Sequence, residues 1–249
     1  MATKQKKPDA KVPLKLRLKA WWEGYDTDDI KKRLSERTGK PEMDFSDEPK
    51  AERPKELSAE NLDPWDAATV DIAQYIWGKG FCGPGGPDYI VSLSKLLALS
   101  PEMSMLQIGA GLGGPSRVLV DRFGVWITGF EESEMLVDKG RKLAKMAGLE
   151  KKAQLEQYVP EGFEGFDRKY DRALAKEALF TIEDKSNMIA KIEEKLKPGG
   201  LFLMTEYVIG SDAVLGKDKY KEWVVGERRH PYPVLADELV DLLKKHHLQ

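Results

Sequence analysis

Cysteine and histidine are the scarcest chemically reactive residues of this 249-residue sequence, and their scarcity excludes several kinds of site. The single cysteine, Cys82, cannot form a disulfide within the chain or a zinc site built from several cysteines. All three histidines follow residue 229, so histidine chemistry has few places to occur. The sequence therefore predicts no metal site, and its single cysteine is compatible with a reducing cytoplasm.

Long apolar runs and an excess of charge of one sign are also absent. No apolar stretch reaches the roughly 18 residues that a membrane-spanning helix needs, and the N-terminus lacks the apolar core of a secretory signal. Lys and Arg number 40 against 42 Asp and Glu, so the overall charge gives no reason to expect a nucleic-acid partner. Hydrophobic residues make up 41% of the chain, which is enough for a packed core. These features predict a globular cytoplasmic protein.

The composition changes near residue 60 and predicts two regions, residues 1–60 and 61–249. In the first region, residues 13–25 combine leucines, tryptophans and basic side chains. We expect this segment to pack on the domain, to contact a partner chain, or to lie on an anionic membrane surface. Residues 33–57 are rich in charge and proline, which is typical of a linker or an extended arm.

The second region opens with a predicted helix, with Asp63 as N-cap and Pro64 at the first helical position. Beyond residue 100, short apolar strand candidates alternate with amphipathic helix candidates, which predicts an α/β fold: a Rossmann-like parallel sheet with helices on both faces. The predicted strands are Met103–Ile108, Val125–Phe130, Ala153–Val159, Tyr170–Ala175 and Leu201–Val208, and the predicted helices are Tyr89–Leu99, Pro115–Phe123, Ser133–Met146, Lys185–Leu196 and Pro233–Leu248.

A glycine-rich turn, Gly109-Ala110-Gly111-Leu112-Gly113, connects the first predicted strand to the next helix. Glycine permits a tight turn and lets the backbone approach a ligand closely, and the helix N-terminus beyond it offers free N–H groups. In a dinucleotide enzyme these groups would hold a pyrophosphate. Because Gly114 stands where the last glycine of G-x-G-x-x-G belongs, the spacing alone leaves a nicotinamide cofactor open.

Three further segments follow this turn in a fixed order: Gly129–Leu136, Tyr170–Ala175 and Leu196–Met204. Together with the turn they resemble motifs of class I S-adenosylmethionine-dependent methyltransferases. The resemblance covers the G-x-D-x-S-x-x-M-L segment after the second strand, the fourth strand, and the L-K-P-G-G approach to the fifth strand. It implies S-adenosylmethionine as the cofactor, S-adenosylhomocysteine as the product, and a cofactor-binding core of about residues 100–210.

The resemblance also implies a set of residues that bind the methyl donor. In the family, an acid after the second strand accepts hydrogen bonds from both ribose hydroxyls, and Glu131 matches that position, with Glu132 beside it. A carboxylate suits a diol because it offers two acceptor oxygens. The full set of donor-binding candidates is Gln107, Gly109, Ala110, Gly111, Gly113, Glu131, Glu132, Tyr158, Val159, Gly85 and Gly86.

Two segments favour one branch of the family. Ile76–Phe81 with Pro84–Gly86 is similar to the F-G-x-G-F-x-S-x-G-G segment of phosphoethanolamine N-methyltransferases, and Gly111–Arg117 resembles G-x-G-G-P-x-R of that group and of sterol- and tocopherol-type enzymes. This likeness implies a small amine or lipid-like acceptor, and a glycine loop that closes over the donor with Tyr75. The catalytic candidates are Glu177 and Tyr75, and the substrate-binding candidates are Trp77, Phe81, Glu206, Trp223 and His230.

Three positions depart from the family pattern. Gln107 stands where an acid orients the turn, Val159 where an acid contacts adenine, and Thr181 where the phosphoethanolamine enzymes have a histidine. These departures leave open a non-catalytic or regulatory subunit of a methyltransferase heteromer, with a nicotinamide-dependent oxidoreductase as a second alternative. The sequence stops at Gln249, where the family's sixth strand starts, so we expect the C-terminal strand hairpin to be missing and the sheet edge to be covered in a homo- or hetero-oligomer.

Overall fold

The computed structural model describes residues 63–160 and 163–248, and the predicted segments before residue 63 lie outside this part. Its centre is an open sheet of five parallel strands in the order β3-β2-β1-β4-β5. The strands are β1 Ser104–Ile108, β2 Trp126–Glu131, β3 Ala153–Gln157, β4 Tyr170–Lys176 and β5 Leu196–Thr205. The predicted parallel sheet is confirmed.

Seven α-helices accompany the strands in the described part of the chain. They are α1 Ala67–Trp77, α2 Gly86–Ser94, α3 Gly114–Phe123, α4 Glu134–Met146, α5 Lys185–Lys195, α6 Asp218–Gly226 and α7 Ala236–Lys245. The helices α3 and α4 separate successive parallel strands, as a crossover connection requires. No helix within residues 63–160 and 163–248 is long and apolar enough to cross a bilayer.

The core has two principal layers, one on each face of the sheet, and β1 contributes to both. Met105 packs in a cluster with Leu119 of α3, whereas Leu106 and Ile108 pack in a cluster with Ile189 of α5. Successive side chains of a strand point to opposite faces, so a central strand covered by helices on both faces reads as a continuous apolar run. This is why the segment could be recognised as a buried strand.

The start of α1 differs from the prediction. Its N-cap is Asp66, whose Oδ1 accepts a hydrogen bond from Thr69 N at 2.7 Å, so the predicted N-cap Asp63 was wrong. Asp63 lies at the start of α4 instead, where its carboxylate accepts hydrogen bonds from Ser133 Oγ at 2.7 Å and Met135 N at 3.2 Å. Both aspartates are typical capping residues, and the choice between them depends on a contact 70 residues away in sequence.

The region after β5 also differs from the prediction. None of the predicted helices lies in residues 209–232, but this segment contains α6, none of whose residues is buried. Such a helix has no apolar stripe facing a core and gives little periodic signal. The predicted helix Pro233–Leu248 is shorter and begins at Ala236, because an isolated parallel bridge between Ile209 and Leu235 holds the preceding residues extended.

Candidate active site

A cavity of about 570 Å³ opens at the carboxyl ends of the strands. Every strand contributes to its lining: Gly109 follows β1, Glu131 ends β2, Tyr158 follows β3, Glu177 follows β4, and Tyr207 follows β5. In an open α/β sheet, ligands bind outside the carboxyl ends of the strands, where the strand order reverses, here between β1 and β4. The volume lies within the roughly 300–1,000 Å³ typical of small-molecule sites.

The glycine turn lines the cavity with backbone. Gly109 and Gly111 have φ values of 66° and 55°, in the left-handed region that favours glycine. A Cβ atom at Gly109 would lie 2.5 Å from the Cβ of Ala178, so the loops after β1 and β4 approach too closely for a side chain there. The turn is closed by a hydrogen bond from Gly113 N to Ala110 O at 2.9 Å. Gly113 caps α3 but does not line the cavity.

Glu131 connects the glycine turn to the start of α4. Its carboxylate is 9% exposed, and Oε2 accepts a hydrogen bond from Gly111 N at 2.8 Å while Oε1 accepts one from Ser133 N at 3.0 Å. Burial raises the pKa of this carboxyl, and the two backbone donors oppose that effect. Because each carboxylate oxygen has two lone pairs, both oxygens retain capacity for a ligand hydroxyl.

Gln107 occupies the position at which the family has an acid. Its side chain is buried, lines the cavity, and accepts a hydrogen bond from Ser116 Oγ of α3 at 2.7 Å through Oε1. The amide therefore ties the first strand to the helix that follows the glycine turn. A neutral amide makes this connection without burying a charge, which would be costly in the strand layer.

An aromatic cluster borders the cavity beyond β3. Tyr158 is 5% exposed and packs edge-on against Phe130, with ring centroids 6.1 Å apart, and against Phe163 at 5.4 Å. Edge-to-face contacts of this kind hold rings in defined orientations. Tyr158 thus gives the cavity a rigid wall next to the end of β3.

Two arginines that follow α6 line the same cavity as Glu131 and Tyr158. The guanidinium of Arg228 lies 4.0 Å from the ring centroid of Trp65, and Arg229 Nη1 lies 2.6 Å from Glu132 Oε2. All four residues line the cavity. The sequence did not predict a role for Trp65, Arg228 or Arg229, because their contacts join parts of the chain that are far apart in sequence.

Another part of the cavity combines an acid, a lysine and aromatic rings. Lys176 Nζ lies 2.9 Å from Glu177 Oε2, and the rings of Phe180 and Tyr207 meet edge-on at 5.1 Å. Trp223 of α6 also lines the cavity. Glu177 has a φ of 51°, a left-handed conformation that is uncommon for a residue with a side chain and is found preferentially at functional sites.

Comparison with known proteins identifies the family. Residues 99–238, more than half of the chain, match the family model described as a methyltransferase domain. The chain belongs to this methyltransferase family. The class I methyltransferase fold expected from the motifs is thereby confirmed, and the match gives no support to a nicotinamide-dependent oxidoreductase.

The methyltransferase domain has relatives acting on different acceptors. It is 30% identical over 178 residues to phosphoethanolamine N-methyltransferase 2 of Caenorhabditis elegans, covering 71% of this chain and 39% of that protein. It is 27% identical over 183 residues to a sterol 24-C-methyltransferase of Aspergillus fumigatus, covering 68% of this chain and 48% of that protein. The chain thus spans less than half the length of these two relatives.

A solved structure supports the fold. Phosphoethanolamine N-methyltransferase 2 of Haemonchus contortus, in complex with S-adenosyl-L-methionine, superposes with a TM-score of 0.62 at 24% identity. The match covers 71% of this chain and 40% of that one. At this level of identity the superposition shows a shared fold only, because a fold can carry many chemistries.

Several residues predicted from the sequence line the cavity of this methyltransferase domain. For the donor these are Gln107, Gly109, Ala110, Gly111, Glu131, Glu132 and Tyr158, and for the acceptor and catalysis Glu177, Phe81 and Trp223. The fold brings these residues together because each follows or ends a strand, or lies on a segment that packs over the strand ends. Their individual roles stay predictions.

Other predicted residues lie outside the cavity. On α1, Val70 and Ala73 are buried, which puts Tyr75 on the opposite side of the helix, where 77% of it is exposed. Trp77, at the end of α1, is 42% exposed. Val159 is 60% exposed because successive extended residues alternate in direction and Tyr158 is the buried neighbour. Tyr75 and Val159 are thus not part of the cavity lining, and their predicted contacts with the donor stay predictions.

Gly85, Gly86 and His230 also lie outside the cavity lining. The two glycines form the start of α2, where Gly85 is the N-cap and a Cβ there would clash with the Tyr89 ring. His230 stacks on Tyr232 with ring centroids 4.6 Å apart and does not line the cavity, whereas its neighbour Arg229 does.

Glu206 does not line the cavity, although its neighbour Tyr207 does. Oε1 accepts a hydrogen bond from Tyr207 N at 2.9 Å, and Oε2 is buried with no hydrogen-bond partner among the described residues. Burial raises the pKa of this carboxyl to about 7, partly offset by backbone donors and by the charge of Lys185. The Lys185 ammonium donates to the carbonyls of Ile182 and Tyr232, and burial lowers its pKa to about 8.

Proposed function

We propose that this chain is an S-adenosylmethionine-dependent methyltransferase that modifies a small amine or lipid-like acceptor. The observation that supports this most directly is Glu131, a buried carboxylate at the end of β2 that is fixed against the glycine turn and keeps two lone pairs for a ribose diol. Family membership supports the same proposal, and the names of the relatives supply the two acceptor classes.

The part of the cavity lined by the glycine turn, Glu131 and Tyr158, named here the donor half, suits S-adenosylmethionine. The glycine turn presents backbone where a Cβ at Gly109 would clash, Glu131 offers acceptors for ribose hydroxyls, and Tyr158 offers an apolar wall for a purine ring. When bound, the donor supplies an electrophilic methyl group on a positively charged sulfonium. The pair Arg229–Glu132 lies across this half of the cavity, where it limits the access of water.

The part of the cavity lined by Glu177 and the nearby aromatic rings, named here the acceptor half, suits an amine. A nucleophilic amine must arrive deprotonated, and the Glu177 carboxylate is an acceptor that can orient its remaining N–H groups. The rings of Phe180, Tyr207 and Trp223 supply apolar and cation–π contacts for a methylated nitrogen. Thr181, where the related enzymes have a histidine, donates to Ala178 O at 3.1 Å, so the proposed chemistry depends on positioning rather than on a strong base.

A methyl-transfer assay tests the proposal. The full chain is incubated with S-adenosylmethionine carrying an isotopic methyl label and with phosphoethanolamine, ethanolamine, glycine or a sterol, and labelled products are separated by mass spectrometry. We expect transfer to at least one acceptor, with kcat at least tenfold lower for Glu177→Gln and unchanged for Glu183→Gln, an exposed acid outside the cavity. Donor binding without transfer to any acceptor would contradict an enzymatic role.

A second function, as a subunit of a methyltransferase heteromer, is favoured by the β5 edge. Leu201 of β5 is 43% exposed, and β5 is the last strand of the described sheet. An uncovered strand edge is a site for pairing with another chain. Sedimentation analysis that shows a stable monomer at all concentrations would contradict this proposal. The expected cytoplasmic location and membrane contact by residues 13–25 stay predictions.

A further inference from the structure

Lys185 is a buried lysine at an electrostatically unfavourable position. It is 3% exposed and is the first residue of α5. Lysine is almost never fully buried unless it is paired, and the amino end of a helix carries a partial positive charge that repels an ammonium. Burial lowers the pKa of Lys185 to about 8, and the charge of Glu206 opposes this effect. The ammonium therefore needs specific partners that offset the cost of its burial.

The hydrogen-bond partners of this ammonium are backbone carbonyls on two segments. Lys185 Nζ donates to Ile182 O at 2.7 Å, just before α5, and to Tyr232 O, 47 residues further along the chain. It also lies 5.9 Å from the centroid of the Tyr232 ring. The backbone N–H of Tyr232 donates to Phe180 O at 2.5 Å. Both backbone polar groups of Tyr232 are thus bound to the segment from Phe180 to Lys185.

Tyr232 ends a segment that reaches the cavity. Residues 228–232, named here the cap segment, follow α6, which has no buried residue. Arg228 lies against the Trp65 ring and Arg229 pairs with Glu132, and all four of these residues line the cavity. Because α6 buries so little, the attachment of the cap segment to the domain depends mainly on its two arginines and on Tyr232.

We propose that Lys185 is a positioning residue, which holds the cap segment at the cavity through Tyr232 and thereby slows release of the methyl donor. The inference rests on the proposed function for the identity of the ligand, but not for the attachment itself. An ammonium has three N–H donors, so one side chain can bind carbonyls of both segments. A charged donor also forms a stronger hydrogen bond than a neutral one, which suits a contact that holds a weakly packed segment.

Hydrogen exchange of the ligand-free chain tests the attachment. The variant Lys185→Met keeps a side chain of similar length and removes its donors. Because hydrogen bonds from a charged group are lost, we expect residues 227–232 to exchange about tenfold faster than in the wild type, with exchange of β1 unchanged. The matched control is Lys195→Met, at the other end of α5, which should exchange as the wild type does. Equal exchange of the cap segment in Lys185→Met and the wild type would overturn the proposal.

Release of S-adenosylhomocysteine tests the link to the cavity. Stopped-flow displacement should show release at least threefold faster from Lys185→Met than from the wild type. In the Arg228→Ala/Arg229→Ala background the same substitution should accelerate release less than twofold, because residues that act through one another have non-additive effects. A role in the stability of α5 alone predicts a lower urea midpoint with unchanged release. Unchanged release, or effects of the two sites that multiply in full, would refute the positioning role.

Failure of the proposed function gives a different result. A folded wild-type chain that binds no S-adenosylhomocysteine would contradict the proposed function and the effect on release, whereas hydrogen exchange decides the attachment by itself. Circular dichroism verifies that each variant is folded. Should Lys185→Met unfold, Lys185→Gln decides, because its amide is neutral and one bond shorter than the lysine side chain. We expect it to lose the contact with Tyr232, and wild-type exchange and release in this variant would overturn the proposal.

Discussion

At the scale of single residues, Glu131 links the backbone geometry of the site to its proposed ligand. The side chain accepts hydrogen bonds from Gly111 on one side and Ser133 on the other, so it fixes the glycine turn before any ligand arrives. A preorganised acceptor of this kind loses little entropy when a diol binds. The sequence predicted this residue from its position after the second strand, but not its two backbone partners.

Replacement of Glu131 by Ala should weaken binding of S-adenosylhomocysteine at least tenfold. Hydrogen bonds to a charged group contribute about 1.5–3 kcal/mol each, and the substitution removes the acceptors for both hydroxyls and loosens the turn. Titration calorimetry measures the change in Kd. The control is Glu134→Ala, an exposed acid in the first turn of α4, and equal losses in both variants would contradict the assigned role.

Replacement of Glu177 by Gly should separate stability from activity. A left-handed backbone costs a residue with a side chain roughly 1–2 kcal/mol, which offsets the greater unfolded-state entropy of glycine, about 0.5–1 kcal/mol. We therefore expect a urea midpoint no lower than that of the wild type, together with a kcat at least tenfold lower. The control Glu183→Gly, where the backbone φ is not positive, should lower the midpoint. Retained activity with lost stability would contradict the proposal.

Glu206 should make the stability of the domain depend on pH. Its pKa is raised from 4.5 to about 7, so between these values the folded state binds more protons than the unfolded state, and stability falls as pH rises. Lys185, with its pKa lowered to about 8, acts in the opposite direction only at higher pH. We expect urea unfolding to show that the free energy of unfolding of Glu206→Gln, relative to that of the wild type, is higher at pH 7.5 than at pH 5. A difference independent of pH would contradict this assignment.

At the scale of elements, α6 and the residues after it are the part of the site that sequence reasoning missed. The helix has no buried residue, and its neighbours Arg228 and Arg229 contact Trp65 and Glu132 on the donor side of the cavity. Because α6 buries little apolar area, we expect it to open locally at low free-energy cost. The two arginine contacts are therefore expected to control opening of the cavity.

The double variant Arg228→Ala/Arg229→Ala should release bound S-adenosylhomocysteine faster. One cation–π contact at an exposed site contributes about 0.5–1 kcal/mol and a partly exposed ion pair up to about 1 kcal/mol, so a roughly two- to thirtyfold increase in the dissociation rate is expected. Stopped-flow displacement measures the rate, and hydrogen exchange measures opening of α6. Lys221→Ala, on an exposed part of α6, is the control, and a dissociation rate equal to that of the wild type would exclude a closing role.

The elements that could be predicted are those in which the pattern of apolar residues indicates which side chains are buried. The strand β1 is mostly apolar, with Met105, Leu106 and Ile108, because it is covered on both faces, and α4 carries a clear apolar stripe around Leu136 and Val137. The start of α1 could not be predicted, because both Asp63 and Asp66 are good caps. The side of α1 on which Tyr75 lies could not be predicted either, because its role was taken from the family likeness and both sides of the helix carry apolar residues.

At the scale of the whole molecule, a parallel sheet explains why residues far apart in sequence form one site. Gly109, Glu131, Tyr158 and Glu177 are brought together because parallel strands all end at the same edge of the sheet. Order along the chain was therefore enough to predict this part of the cavity. The segments that cover the cavity include Trp65 on one side and Arg229 on the other. Their contacts join residues far apart in sequence, which no local sequence pattern predicts.

The cavity at the strand ends is proposed to bind the methyl donor through Glu131. Titration calorimetry of the full chain with S-adenosylhomocysteine, with NAD as the competing dinucleotide, tests it most directly. The structure predicts saturable binding of S-adenosylhomocysteine, no binding of NAD, and at least tenfold weaker binding in Glu131→Ala but not in Glu134→Ala. Absence of binding to the folded wild-type chain, or equal affinity in the Glu131→Ala variant, would contradict the claim.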